Sequence, residues 1–147
     1  YGVGKPNLKL AQDTFAARRS PADTCWGQDG PQSAVLGLPS VAEKAAIDYF
    51  SNYGDQRFRW CWKPAHDWIP DFDNGGDGML TIELMLMQCD GMRIQLLPAW
   101  PVGWTADFKL HAPYQTVVEG HAENGKISGL KVTPESRAKD VVILPAN

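Results

Sequence analysis

Long apolar runs are missing from this 147-residue chain. No window approaches the roughly 18 consecutive apolar residues that a membrane-spanning helix requires, so no membrane insertion is expected. Basic clusters are missing as well: the longest is Arg18-Arg19, and 14 Lys and Arg stand against 17 Asp and Glu, a formal charge of -3. The concentrated positive charge that a nucleic acid demands is absent, so no nucleic-acid partner is expected. Cysteine is scarce, with Cys25, Cys61 and Cys89 an odd count at wide spacing and no C-x-x-C pair. That pattern argues against a zinc knuckle or a disulfide scaffold. A single Cys25 to Cys61 bridge stays open, and Cys89 reads as core on an apolar helix face. There is no G-x-S-x-G, no Walker loop and no dinucleotide fingerprint, and no cofactor is implied. The first ten residues carry no signal-peptide run, and the chain opens on Tyr1 rather than Met, which points to a mature product or an excised fragment.

What is present is an ordinary globular composition, 44% hydrophobic and 21% charged. A chain of this size buries roughly two thirds of its unfolded surface, which makes disulfides optional. Its first half has helical spacing. Leu8, Ala11 and Phe15 mark a helix near residues 7 to 17, ended by Ser20-Pro21, and Pro31 fits the first turn of a short helix closed by Gly37. Ser40 and Glu43 form a capping box for a third helix reaching about Asn52. Residues 53–77 lack a period and read as a long structured loop. Asp77 then caps a buried helix, Gly78 to Gln88, ended by Cys89-Asp90-Gly91.

From Met92 the period changes to two, in five short runs: MRIQLL, DFKLHA, YQTVVEGHA, KISGLKVT and DVVIL. Asn124-Gly125 between two of them is a hairpin signal. The fold class is therefore α+β, with a helical segment over residues 1–91, including loop 53–77, and a β-rich domain over 92–147.

The densest polar feature runs from Asp71 to Gly78, preceded by His66-Asp67-Trp68. Three accounts fit it. In the plainest, Asp77 caps the helix while Asp71 and Asp73 make local bonds to the backbone. In the second, D-x-D-x-G-G is a calcium loop, but the twelfth position is Ile82 and Glu83 falls one residue late, so no metal is assigned. In the third, a loop carboxylate is a general base activating water while Trp60, Trp62 and Trp68 stack on a sugar. Glu83, on an otherwise apolar helix, is either a paired buried carboxylate or part of one polar stripe with Gln88, the second being favoured. His66, His111 and His121 are too scattered for a metal triad, and none of them has a Ser or Cys partner placed for nucleophilic catalysis.

The string FDNGGDGMLTIELMLMQCDGMRIQLLPAWPVGW resembles the end of the catalytic barrel in glycoside hydrolase family 95, the α-L-fucosidase family and its relatives. There an Asp-Gly-Asn-Phe-Gly loop leads into a buried helix ending in Leu-Leu-Gln and a strand ending in Leu-Leu-Pro-Ala-Leu-Pro. The counterparts here are Asp73 to Gly76, Met85-Leu86-Met87-Gln88, and Leu96-Leu97-Pro98-Ala99-Trp100-Pro101. The β tail extends the similarity over roughly the last half of the chain. The resemblance implies the last helices of an (α/α)6-type barrel followed by a small antiparallel β-sandwich-like domain. It also implies an inverting displacement in which Asp73 is the base. This chain reads Phe72-Asp73-Asn74-Gly75 where the family has Ile-Asp-Gly-Asn, and Asp71 where the family has Gln, which keeps Asp71 in reserve.

Inversion needs a second carboxyl group roughly 6.5–9.5 Å from the first. Nothing in this chain matches the family's general-acid Glu motif. The expectation is a C-terminal fragment of a carbohydrate-active enzyme that is inactive in isolation. Its catalytic candidates are Asp73 and Asp71, and Trp60, Trp62, His66, Trp68 and Asn74 contact substrate. Its partners are a carbohydrate and the remainder of a parent polypeptide, and the resemblance implies a secreted or periplasmic location. Two alternatives stand beside it: a non-catalytic carbohydrate-binding or assembly module, and a calcium-stabilised scaffold.

Overall fold

The computed structural model describes residues 1–19, 27–51 and 72–145, and only the backbone at 72–74. Five helices and two small sheets make up a mixed α+β structure within those residues. The helices are α1 (Leu8–Ala16), α2 (Asp29–Val35), α3 (Pro39–Ser51), α4 (Phe72–Leu86) and a 3-10 turn, η1 (Glu135–Asp140). The strands are β1 (Met87–Asp90), β2 (Arg93–Leu96), β3 (Ala106–Ala112), β4 (Thr116–Glu123), β5 (Lys126–Thr133) and β6 (Val141–Ile143).

Helices α2, α3 and α4 pack on one another through their smallest residues. A Cβ on Gly30 would lie 2.4 Å from Thr81 Oγ1 and 2.8 Å from Tyr49 Cε2, so α2 approaches α3 and α4 only because that atom is missing. Gly78 works the same way against Phe50 and Tyr49. Three glycines in α4 each cost a helix roughly 1 kcal/mol relative to alanine, and at Gly78 the close approach to α3 works against that deficit.

Several boundaries move. The fourth helix starts at Phe72, so residues 72–77 are helix rather than loop, and Asp77 is interior rather than a cap. The third starts on Pro39, whose missing N–H is harmless in the first turn, which puts Ser40 inside the helix instead of at its cap. The fourth helix also ends two residues early. Met87 to Asp90 pair antiparallel with β2 as strand β1, because an apolar run such as MLTIELMLMQ carries no mark of where one period yields to the other. Cys89 consequently lies on an edge strand and is exposed, not core. Partial burial raises its thiol pKa, with Arg137 acting in the opposite sense.

All five β runs form strands. In the first sheet β2 is central, antiparallel to β1 and parallel to β6; in the second β4 lies between β3 and β5. Asn124 (φ 51°) and Gly125 (φ 69°) form the two-residue turn that joins β4 to β5, both left-handed as a type I′ turn requires. Arg137 ties the two sheets together. Its buried guanidinium donates to Thr116 Oγ1 (3.0 Å) and to the Met92 carbonyl (3.0 Å), pairs with Asp140 and lies over the Tyr114 ring. One hydrophobic cluster runs from Ala34, Ala42 and Ala46 through Met85, Ile94 and Leu96 to Val118 and Val132.

Candidate functional site

The beginning of α4 is the only part of the sequence-predicted site within the described residues. Asp73 and Asn74 are the second and third residues of that helix, in its first turn. Free N–H groups and the positive end of the helix dipole favour a carboxylate at such a position. Asp71, immediately before the helix, lies outside the described residues, as do Trp60, Trp62, His66 and Trp68 and the Cys25 to Cys61 pairing. Among the described residues, no group of three or more His, Cys, Asp or Glu could hold a metal ion. A calcium loop would also need residues 72–77 to curl round the ion, and they are helical.

One turn further on, Asp77 is buried at 9% exposure and accepts a hydrogen bond from Gln28 Nε2 at 2.9 Å. Gln28 occupies the N-cap position of α2 but makes no side-chain cap there, its amide being committed to α4. Thr81 Oγ1 donates to the Asp77 carbonyl at 2.6 Å, and the Tyr49 hydroxyl donates to the Gly27 carbonyl. Beside them Arg18 pairs with Asp29 in the first turn of α2 and stacks over Phe15, 3.7 Å from the ring centroid. Of these, the Gln28 to Asp77 bond is the one that ties the starts of α2 and α4 together. That contact has no local mark in the sequence, since the two partners are 49 residues apart.

At its other end α4 runs directly into β1, and the segment after β2 returns beneath it. Leu97 N donates to the Leu86 carbonyl at 2.8 Å and Ala99 N to the Met85 carbonyl at 3.1 Å, with Leu97 at φ 63° to make the turn. Leu96 to Pro101 are all buried. Trp100 packs edge-on against Trp104 and donates from Nε1 to the Trp104 carbonyl (3.1 Å), so these two tryptophans are structural. Glu83 is exposed, whereas Gln88 lies on β1 and donates to the Ala34 carbonyl, so the two share no helical stripe.

The outer side of the helical part keeps apolar groups in solvent. Leu10, Val41, Ile47, Met79 and Leu80 are all exposed by two fifths or more. A largely apolar cleft of about 500 Å³ opens between α1 and α2, lined by Leu10, Phe15, Val35 and Leu36. No helix among the described residues is long and apolar enough to cross a membrane. No protein-family model matches the chain, and no curated protein matches it.

Proposed function

We propose that this chain is the C-terminal part of a carbohydrate-active enzyme resembling the inverting α-L-fucosidases of glycoside hydrolase family 95. It supplies the general base from the start of α4, and the general acid comes from the parent polypeptide. The observation that supports this most is the continuity of one unit. A first turn bearing Asp73-Asn74 opens a packed helix, the helix leads without a break into the β1–β2 hairpin, and the buried Leu96-Leu97-Pro98-Ala99 segment locks under its far end. The helix, strand and buried segment follow one another as in the resemblance, with a first helical turn where the family has a loop. The exposed apolar side chains on α1, α3 and α4 fit helices that complete an (α/α)6-type barrel with the rest of the parent, and β3 to β6 fit a small sandwich-like tail. A secreted or periplasmic location follows from the same resemblance.

In this reading Asp73 takes a proton from water as it attacks the anomeric carbon. Asn74 orients that water, and Trp60, Trp62, His66 and Trp68 hold the sugar. Asp73→Asn in the intact parent should lower kcat on an aryl glycoside by about 10²–10⁴, the usual worth of a positioned general base. If Asp73→Asn turns over normally while Asp71→Asn is dead, the base is Asp71. If neither matters, the proposed chemistry is wrong.

A further inference from the structure

The outer face of β3, β4 and β5 has no part in the function proposed above. Strand alternation sends Asp107 and Lys109 of β3, Glu119 and His121 of β4, and Ser128 of β5 to the side away from the core. The register sets them in rows. Asp107 is opposite His121 and His121 opposite Ser128, while Lys109 is opposite Glu119 and Glu119 opposite Lys131. Between the rows the ladder slips. Glu119 to His121 spans two steps of β4 (121 − 119), whereas their partners Lys131 and Ser128 are three steps apart in β5 (131 − 128). The extra residue is a β-bulge that includes Gly129 at φ 61°. A bulge bends its strand and re-aims the side chains beside it. At this slip lies an open cleft of about 530 Å³, bordered by Asp107, Lys109, Glu119, His121 and Ser128.

The groups around the cleft alternate in hydrogen-bonding character. His121 Nδ1 lies 2.7 Å from Asp107 Oδ1. A carboxylate only accepts, so the proton of this bond is on Nδ1, and Nε2 faces the cleft as a second polar atom. The nearest acid to Nε2, Glu123 Oε2, is 4.0 Å away and beyond hydrogen-bonding reach. Ser128 offers a hydroxyl that donates and accepts. Lys109 Nζ, a donor, is 3.2 Å from Glu119 Oε1, an acceptor. Each charged group of the cleft already has a partner, Glu119 in Lys109 and Asp107 in His121. A phosphate or a metal ion would need an excess of one sign. A neutral molecule with many hydroxyls, each both donor and acceptor, matches alternating donors and acceptors whose charges are already paired.

We propose that this cleft binds a neutral saccharide. The site stands apart from the start of α4 and requires no catalysis there. The test is a titration of the full, isotope-labelled 147-residue chain with glucose, galactose and xylose in turn, followed by amide NMR shifts, with sodium phosphate as the anionic probe. Saturable shifts at residues 107–109, 119–121 and 128–131 with at least one sugar support the site. His121→Ala should then weaken that binding about tenfold, the worth of one good hydrogen bond to a polar ligand, and Ser128→Ala or Glu119→Gln provides the same check should the first variant not fold. Sugar-induced shifts confined to the start of α4 would support catalysis there and overturn this site. Response to phosphate alone, or to none of the probes, would also overturn it.

Discussion

Helices α2, α3 and α4 approach one another through Gly30, Gly78, Ala42, Ala45 and Ala46, with Gln28, Asp77 and Thr81 bonded at the contact, while Val41, Ile47 and Met79 remain in solvent. Strands β3 to β5 do the reverse. Leu110, Val118, Ala122 and Val132 face the core and charged residues face water, and the alternation fails only at the β5 bulge, where Leu130 is exposed. A helix that buries small and polar residues yet exposes large apolar ones has more than one face to cover. The sheet has one buried face and one solvated face, as an antiparallel sheet at a protein surface does. In the proposed function, the helical part would complete a larger core with the parent polypeptide and the β part would form an outer layer.

Several substitutions test that division. The largest effect should come from Arg137→Ala, which removes the group joining the two sheets and leaves Asp140 and the Met92 carbonyl without it. A loss of about 3 kcal/mol is expected by urea unfolding, because the broken pair is largely buried. If the midpoint does not move, the sheets are joined by apolar packing alone. Gly30→Ala comes next, at about 2 kcal/mol from overpacking against Thr81 and Tyr49. Hydrogen exchange should localise that damage to α2, α3 and α4, and equal loss of protection in β3 to β5 would mean the two regions unfold as one.

A smaller effect, about 1 kcal/mol, is expected for Asn124→Ala, since alanine tolerates the left-handed turn poorly. Its exchange signature should stay within the β4–β5 hairpin. The smallest concerns Asp90, whose carboxyl is held below its ordinary pKa of 3.8 first by the Lys5 hydrogen bond and then by the Lys5 charge. A lowered folded-state pKa gives stability that is present above the unfolded value and lost as pH falls through the folded one. Lys5→Met should therefore weaken the chain slightly at neutral pH and bring it level with the parent sequence in acid. A difference that persists in acid would have to come from lost packing of the Lys5 stem.

Elements marked by local pattern were legible in advance. Helix α1 followed from Leu8, Ala11 and Phe15, the end of α2 from Gly37, and the β4–β5 turn from Asn124-Gly125. The start of α4 was hidden, because Asp73-Asn74-Gly75-Gly76 has loop propensities and becomes helical only when Gly78 meets Phe50 and Tyr49. Strand β1 was hidden for a different reason: β2 captures Met87 to Asp90 from a segment equally suited to helix.

The amino-acid sequence by itself determined the α+β class, the order of most elements and the acidic residues about the start of α4. Those depend on periodicity and turn chemistry, which act over a few residues. Tertiary structure decided where α4 gives way to β1, which partners Asp77 and Arg137 meet, and that Asp107, His121 and Ser128 fall in one row. Each joins residues distant in the chain, and only sheet register and helix packing bring them within a few ångströms.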